Sequence, residues 1–396
     1  MKPTHPLLSF LDRHTIFFSF LVFVVFFIVG DRLLNEYYLP DAKGIENSYY
    51  HHGLRKNFKG TVTWGENKHP LYTDDLGFKD SQCRVIPRKI DRHRVLFIGD
   101  SFTEGAGLPF EQTFVGMFRQ AFPALDVLNA GSVSMSPKLY YYRLKYLLEV
   151  EKLHFDELIV FIDISDINDE IEYSIWTPVE ESPLRRLDAW LRSISFTYKM
   201  LRNNLLNVEK NKFLQRLIKR IDAGKPVTEQ DPATGKTTGS AQQSSTSATN
   251  SISIDPPHVV MPADFRAKRI EERPRWTFDK KIYNKWGRAG MALAKYHMDL
   301  IVRLMQERGI PMTIAVYPWP DQIREGDRRS IQEVEWRRFC EKRGVSFMSY
   351  FGEFVRDNPE EIIRNYYIPG DVHWNEQGHA LVFRKLQAFY RQQHQN

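Results

Sequence analysis

The chain has 396 residues, 42% of them hydrophobic and 26% charged, with a formal net charge of +6. That balance excludes a disordered polymer and gives length for one large domain or two smaller ones. The mild positive charge favours acidic surfaces only weakly, and no nucleic acid is expected as a partner.

The first element is the uncharged run Thr15 to Gly30 (TIFFSFLVFVVFFIVG). As a helix it spans roughly 24 Å, slightly less than a bilayer core of about 30 Å. Leu33 and Leu34, or snorkelling Arg13 and Arg32, close the gap. A cleaved signal peptide needs a small-x-small site after the apolar run, and Asp31-Arg32-Leu33-Leu34 offers none. An uncleaved transmembrane anchor over residues 1–34 is therefore expected; a cleaved signal or a buried core helix are the alternatives. Lys2 and Arg13 precede the run, which places the N-terminus inside and the remainder in a periplasm or beyond, although Arg32 blunts the asymmetry.

Residues 35–94 read as a polar, aromatic-dotted leader packing on the domain, with a turn at Asp75-Leu76-Gly77-Phe78. Regular alternation begins at Val95. A strand, Val95 to Ile98, runs into a Gly99-Asp100-Ser101 corner. The pattern then predicts a helix over Glu111 to Ala121, a strand from Asp126 to Leu128 and a helix after Pro137. A buried strand, Leu158 to Ile162, ends in Asp163. Strands alternating with helices imply a parallel sheet covered on both faces.

An insertion over 176–285 interrupts this pattern. Within it, residues 183–222 place Leu187, Leu191, Ile194, Tyr198, Leu201 and Leu205 at helical spacing opposite a basic face. Such a face suits anionic lipid or an acidic polymer, or is simply solvated. Residues 223–255 are rich in Ser, Thr, Gly and Gln and are expected to be disordered. Periodicity returns with a helix from Lys281 to about Arg308 and a strand from Met312 to Tyr317. A helix over Ile331 to Arg343 and a strand from Val345 to Met348 follow. Asp371-Val372-His373 precedes a terminal helix, with Asn375 as its expected N-cap.

Two stretches carry chemistry. Ser101 stands where a buried strand stops, and reactive groups in open α/β sheets gather at strand carboxyl ends. Asp371 and His373, two apart on an extended loop, point to the same side and can touch. Nucleophile, base and orienting acid are the side-chain types of acyl transfer. Thr103 stands two after Ser101, so the corner is not a Gly-x-Ser-x-Gly elbow. Tyr317, Trp319 and Trp374 are candidates for stacking on a sugar near the strand ends, with core packing as the alternative. Cys83 and Cys340 either pair or remain free thiols; no Cys/His spacing suggests a structural zinc.

These residues are similar to the GDSL, or SGNH, hydrolase family, over about 95–175 and 290–393. The resemblance implies a flavodoxin-like three-layer α/β/α sandwich that hydrolyses or transfers acyl esters without metal or organic cofactor. Gly99-Asp100-Ser101-Phe102-Thr103-Glu104-Gly105 is similar to the family's first block, which makes Ser101 the nucleophile and its N–H an oxyanion donor. Asp371-Val372-His373-Trp374-Asn375 is similar to its last block, which makes Asp371 and His373 the acid and base. Asp-x-His-Trp also occurs in the periplasmic alginate O-acetyltransferase relatives.

The middle blocks depart from the pattern. Ser134 takes the place of an oxyanion glycine, and Ser165 that of an oxyanion asparagine, with Asn168 able to substitute if the register slips. The expected function is a membrane-anchored extracytoplasmic serine esterase or O-acyltransferase acting on O-acetyl esters of an envelope or exported polysaccharide. The envelope polysaccharide machinery would then be its partner. An esterase of lipid or small-molecule esters is the nearer alternative. A catalytically weak polysaccharide-binding or assembly subunit of the same fold comes from a different class.

Overall fold

The computed structural model describes residues 14–38, 45–178, 187, 190–191, 194–205, 256–257, 259, 261–262 and 264–394. The chain divides into two units, 1–40 with 179–253 and 41–178 with 254–396.

In the first unit a helix spans Thr15–Tyr38. Its Thr15–Leu34 stretch has a mean hydropathy of 2.3, is only 6% buried, and is long and apolar enough to cross a membrane. A second helix, Phe196–Leu205, packs beside it. The Thr197 N–H donates to Asp31 Oδ1 at 2.6 Å. Most of the expected basic helices over 183–222, and all of the Ser/Thr-rich stretch 223–255, lie outside the described residues.

The second unit begins with small antiparallel pieces. Strands β1 (Ile45–Asn47) and β2 (His51–Gly53) pair, and β3 (Lys59–Trp64), β4 (Asn67–Thr73) and β5 (Lys79–Asp80) form a three-stranded sheet. The leader is thus structured. Its expected turn is present: Asp74 N–H bonds to Phe78 O at 3.0 Å, and Gly77 takes a φ of 75°.

The main sheet has five parallel strands: β6 (Arg94–Ile98), β7 (Asp126–Asn129), β8 (Glu157–Ile162), β9 (Met312–Val316) and β10 (Ser346–Ser349). Their order is β10-β9-β8-β6-β7, every pair parallel. This is the expected flavodoxin-like arrangement. β6, β7 and β8 are buried at every position, which is why they read as continuous apolar runs rather than as alternation.

Crossovers in parallel sheets are right-handed, so a reversal of direction along the sheet puts helices on both faces. Helix α1 (Phe114–Ala121) packs with the terminal α6 (Glu376–His394). Helices α2 (Pro137–Lys145) and α3 (Asp166–Glu172) pack with α4 (Arg288–Gln306), and α5 (Ile331–Arg343) lies against β9 and β10. The helix expected from Glu111 starts late, at Phe114: Thr113, extended at φ −81°, caps α1 by accepting from Gly116 N–H. Asn375 caps α6, its Oδ1 accepting from Gly378 N–H at 3.0 Å.

The second unit resumes well before residue 285. Trp276 is fully buried and its indole N–H donates to Ile164 O at 2.9 Å, so this part of the expected insertion belongs to the core. Cys83 is exposed and Cys340 buried; both are free thiols.

Candidate active site

β6 delivers the Gly99-Asp100-Ser101 corner. A Cβ on Gly99 would meet Thr103 Oγ1 at 2.1 Å and Phe161 O at 2.8 Å, so only glycine lets the chain turn here. Asp100 then caps a single helical turn, Ser101–Glu104, by accepting from Phe102 N–H at 2.9 Å. Ser101 is the first residue of that turn. Ser101 is 6% exposed.

The far end of the chain supplies the other two groups. Tyr367 and Trp374 form an antiparallel bridge, and the loop between them carries Asp371 and His373. Trp374 anchors this loop: fully buried, it packs against Phe102, Tyr317 and Phe354 with ring centroids 4.6 to 5.9 Å apart. His373 Nε2 lies 2.7 Å from Ser101 Oγ, and His373 Nδ1 lies 2.6 Å from Asp371 Oδ1. A carboxylate only accepts, so the ring proton sits on Nδ1 and Nε2 presents its lone pair to the serine hydroxyl. Burial alone would raise the Asp371 carboxyl. The hydrogen bonds from His373 and Trp64 outweigh it and hold the group well below the usual carboxylate range.

Trp64 is a residue that sequence reasoning missed. It ends β3, donates its indole N–H to Asp371 Oδ2 at 2.7 Å and stands edge-on to His373 with centroids 4.9 Å apart. Phe102 covers the other side of the imidazole at 4.7 Å. A lone tryptophan in a polar leader gave no signal, because its partners lie at the other end of the chain.

The loop after β7 packs onto the Ser101–Glu104 turn. A Cβ on Gly131 would meet Glu104 N at 2.4 Å, and Asn129 Nδ2 donates to Thr103 O at 2.8 Å. Ser134 is left-handed at φ 57°, a conformation that favours glycine. The neighbouring peptides are clamped from three sides. His52 Nε2–H donates to Val133 O at 2.7 Å, Val133 N–H donates to Glu104 Oε2 at 3.0 Å, and the Tyr173 hydroxyl donates to Ser134 O at 3.0 Å. No role was expected for His52, Glu104 or Tyr173.

Two expectations are corrected, those for Ser165 and for the three aromatic rings. The Ser165 hydroxyl, expected as an oxyanion donor, is fully buried and bonds to Asp163 Oδ1 at 2.6 Å, as does its own N–H at 2.6 Å. Asn168 is fully buried on α3, and neither atom of its amide makes a hydrogen bond among the described residues. Trp374 and Tyr317 are fully buried and Trp319 is 7% exposed, so these rings are core and offer no stacking face.

Beneath Ser101 lies a second buried polar cluster. Asp100, Asp163 and Asp166 place carboxylate oxygens within 4.8 Å of one another. Tyr317 donates to Asp100 at 3.1 Å, Trp319 to Asp163 at 2.9 Å and Tyr140 to Asp166 at 2.8 Å. Burial first, and the Asp163 charge second, push the Asp100 and Asp166 carboxyls well above their ordinary values. Ser101 Oγ also lies 3.2 Å from Asp100 Oδ2.

No family model and no curated protein matches the chain. Solved structures align with the chain at low identity and low TM-score. A GDSL-like lipase from Bacteroides thetaiotaomicron VPI-5482 is 10% identical with a TM-score of 0.37, covering 78% of this chain and 92% of that one. The psychrotrophic esterase EstA from Pseudoalteromonas sp., inhibited by monoethylphosphonate, is 11% identical with a TM-score of 0.34, covering 77% and 100%. AlinE4, an SGNH-hydrolase family esterase, is 12% identical with a TM-score of 0.34, covering 76% and 97%.

Proposed function

We propose that this chain is a serine esterase or O-acyltransferase. The observation that carries this reading is the continuous relay from Ser101 Oγ through His373 to Asp371, with contacts of 2.7 and 2.6 Å. Ser101 Oγ attacks the acyl carbonyl as His373 Nε2 takes its proton. The tetrahedral intermediate collapses, His373 returns the proton to the leaving alcohol, and the acyl group stays on Ser101. Water or an acceptor hydroxyl, deprotonated by His373, then attacks that ester and releases Ser101. Asp371 holds the imidazole tautomer and stabilises the imidazolium. The backbone N–H groups of Ser101 and Ser134 serve as oxyanion donors; neither has an acceptor among the described residues. With the Ser165 hydroxyl turned inward, backbone donors carry that task.

The substrate class we propose is acyl esters, O-acetyl esters of an envelope or exported polysaccharide first among them. This rests on the Asp-x-His-Trp block and on an N-terminal helix able to tether the protein outside the cytoplasm. Protease access in spheroplasts tests the tether. The chemistry is tested by fluorophosphonate labelling and turnover of a short-chain aryl ester, with an acetylated polysaccharide as second substrate. Labelling and turnover lost in Ser101→Ala are expected. Labelling unchanged in that variant removes Ser101 from the mechanism, and glycan binding without turnover of any acyl donor favours a binding subunit.

A further inference from the structure

The strands of the main sheet run in one direction, so its two ends differ. The carboxyl ends carry Ser101 and the buried carboxylates. The opposite end gathers His93, which precedes β6, Glu157, which opens β8, and His394, which ends α6. One ligand atom from each of the three lies within 4.8 Å of the others.

We propose that His93, Glu157 and His394 form a binding site for a divalent transition-metal ion, with zinc the expected occupant. The distances fit an ion between the side chains better than a direct pair. His394 Nε2 is 3.4 Å and His93 Nε2 3.6 Å from Glu157 Oε2. Both are too long for a good hydrogen bond. Tetrahedral zinc with bonds of about 2.0–2.1 Å separates neighbouring ligand atoms by roughly 3.3–3.4 Å.

The carboxylate supplies an independent observation. Glu157 is 4% exposed, and its Oε2 makes no hydrogen bond. A buried carboxylate oxygen that makes no hydrogen bond is costly, and the groups it faces are the two imidazoles. The second imidazole is oriented as a ligand. His394 Nδ1 lies 2.9 Å from Tyr390 O, and a carbonyl can only accept. Nδ1 therefore carries the proton and Nε2 presents its lone pair, the usual outer-shell arrangement of a metal-bound histidine. The His394 ring is also stacked on Tyr390 at 4.0 Å.

Two histidines and one carboxylate form a mixed nitrogen and oxygen set that suits zinc over calcium or magnesium, and three protein ligands leave one position open. Both histidines also line a cavity of about 430 Å³, together with Phe122, Pro123, Leu125 and Tyr390. A water or a small anionic ligand completes the coordination. The ion would tie the last turn of α6 to the starts of β6 and β8, remote from the ester chemistry.

The test is zinc chloride titrated into chelator-treated full-length protein, followed by calorimetry and by thermal melting. We expect a single ion per chain and a raised melting temperature. His394→Gln and His93→Asn change exposed side chains; each weakens binding at least about tenfold and abolishes the thermal shift. Glu157→Gln does the same while keeping the side-chain shape. Aryl-ester turnover at fixed protein concentration stays unchanged in the two histidine variants. Absence of stoichiometric binding by the wild type overturns the site. So does equal affinity in a His93→Asn/His394→Gln double variant, which would mean adventitious capture by other histidines.

Discussion

The indole N–H of Trp64 is bonded to Asp371 Oδ2 at 2.7 Å, on the opposite oxygen from the one that holds His373. Asp371 is thereby gripped at both oxygens, by the loop that carries it and by a hairpin from the other end of the unit. In the proposed relay the acid that orients the base must itself be oriented, and the tryptophan bond does that.

Trp64→Phe removes the donor and keeps the ring against His373. A hydrogen bond to a charged acceptor contributes about 1.5–3 kcal/mol. A fall in kcat of about tenfold or more is expected, with KM within about twofold. Steady-state kinetics on an aryl ester check it; an unchanged kcat means Asp371 is positioned without the indole.

Ser101→Ala and His373→Ala are each expected to cost about 10³-fold or more in kcat, and the double variant no more than the worse single one. Groups acting in one proton relay are not additive. Multiplying losses, measured on folded variants with matched circular dichroism, would show that the two side chains act independently.

Ser165→Ala separates the corrected role from the expected one. An oxyanion donor costs about 10²–10³ in kcat when removed. A hydroxyl bonded only to buried Asp163 instead costs stability, about 1–3 kcal/mol. The expected result is a lowered melting temperature with kcat within about threefold.

Asp74 gives a pH dependence whose sign is fixed. Burial pushes its carboxyl up to about 7, against the pull of N–H donors from Phe78 and Leu76. An acid raised in the folded state holds its proton there while the unfolded chain, titrating near about 3.9, has released it. Stability therefore falls as pH rises between about 4 and 7, by an amount on the order of 2–4 kcal/mol, and is flat beyond. Asp74→Asn keeps the oxygen that accepts both N–H groups. Urea melts across this window are expected to lose that slope.

The parallel sheet was legible because β6 and β8 are buried throughout and sit beside glycine or Asp corners. Ser101 stood out because it follows the buried β6, and Asp371 and His373 because a local Asp-x-His pair needs no distant information; the structure brings the three side chains together. What failed to show were side chains whose meaning depends on a partner far along the chain. Trp64 needs Asp371, His52 needs Val133, and Glu157 needs histidines on two other elements. Ser165 was misread for a local reason: the turn after β8 folds its hydroxyl back onto Asp163, which a block pattern does not encode. Trp374 was misread because a residue adjacent to the base in sequence points to the opposite face of an extended loop, into the core.

The position of Trp64 and His52 upstream of the first core strand has a practical result. A fragment starting at Val95 would retain Ser101, Asp371 and His373, and by its sequence pattern would pass for the whole of the proposed catalytic unit. It would lack the indole that steadies the acid and the imidazole that shapes the peptide before Ser134. Such a trimmed protein should bind probes poorly even if it folds, and the boundary of the reactive machinery belongs at about residue 45.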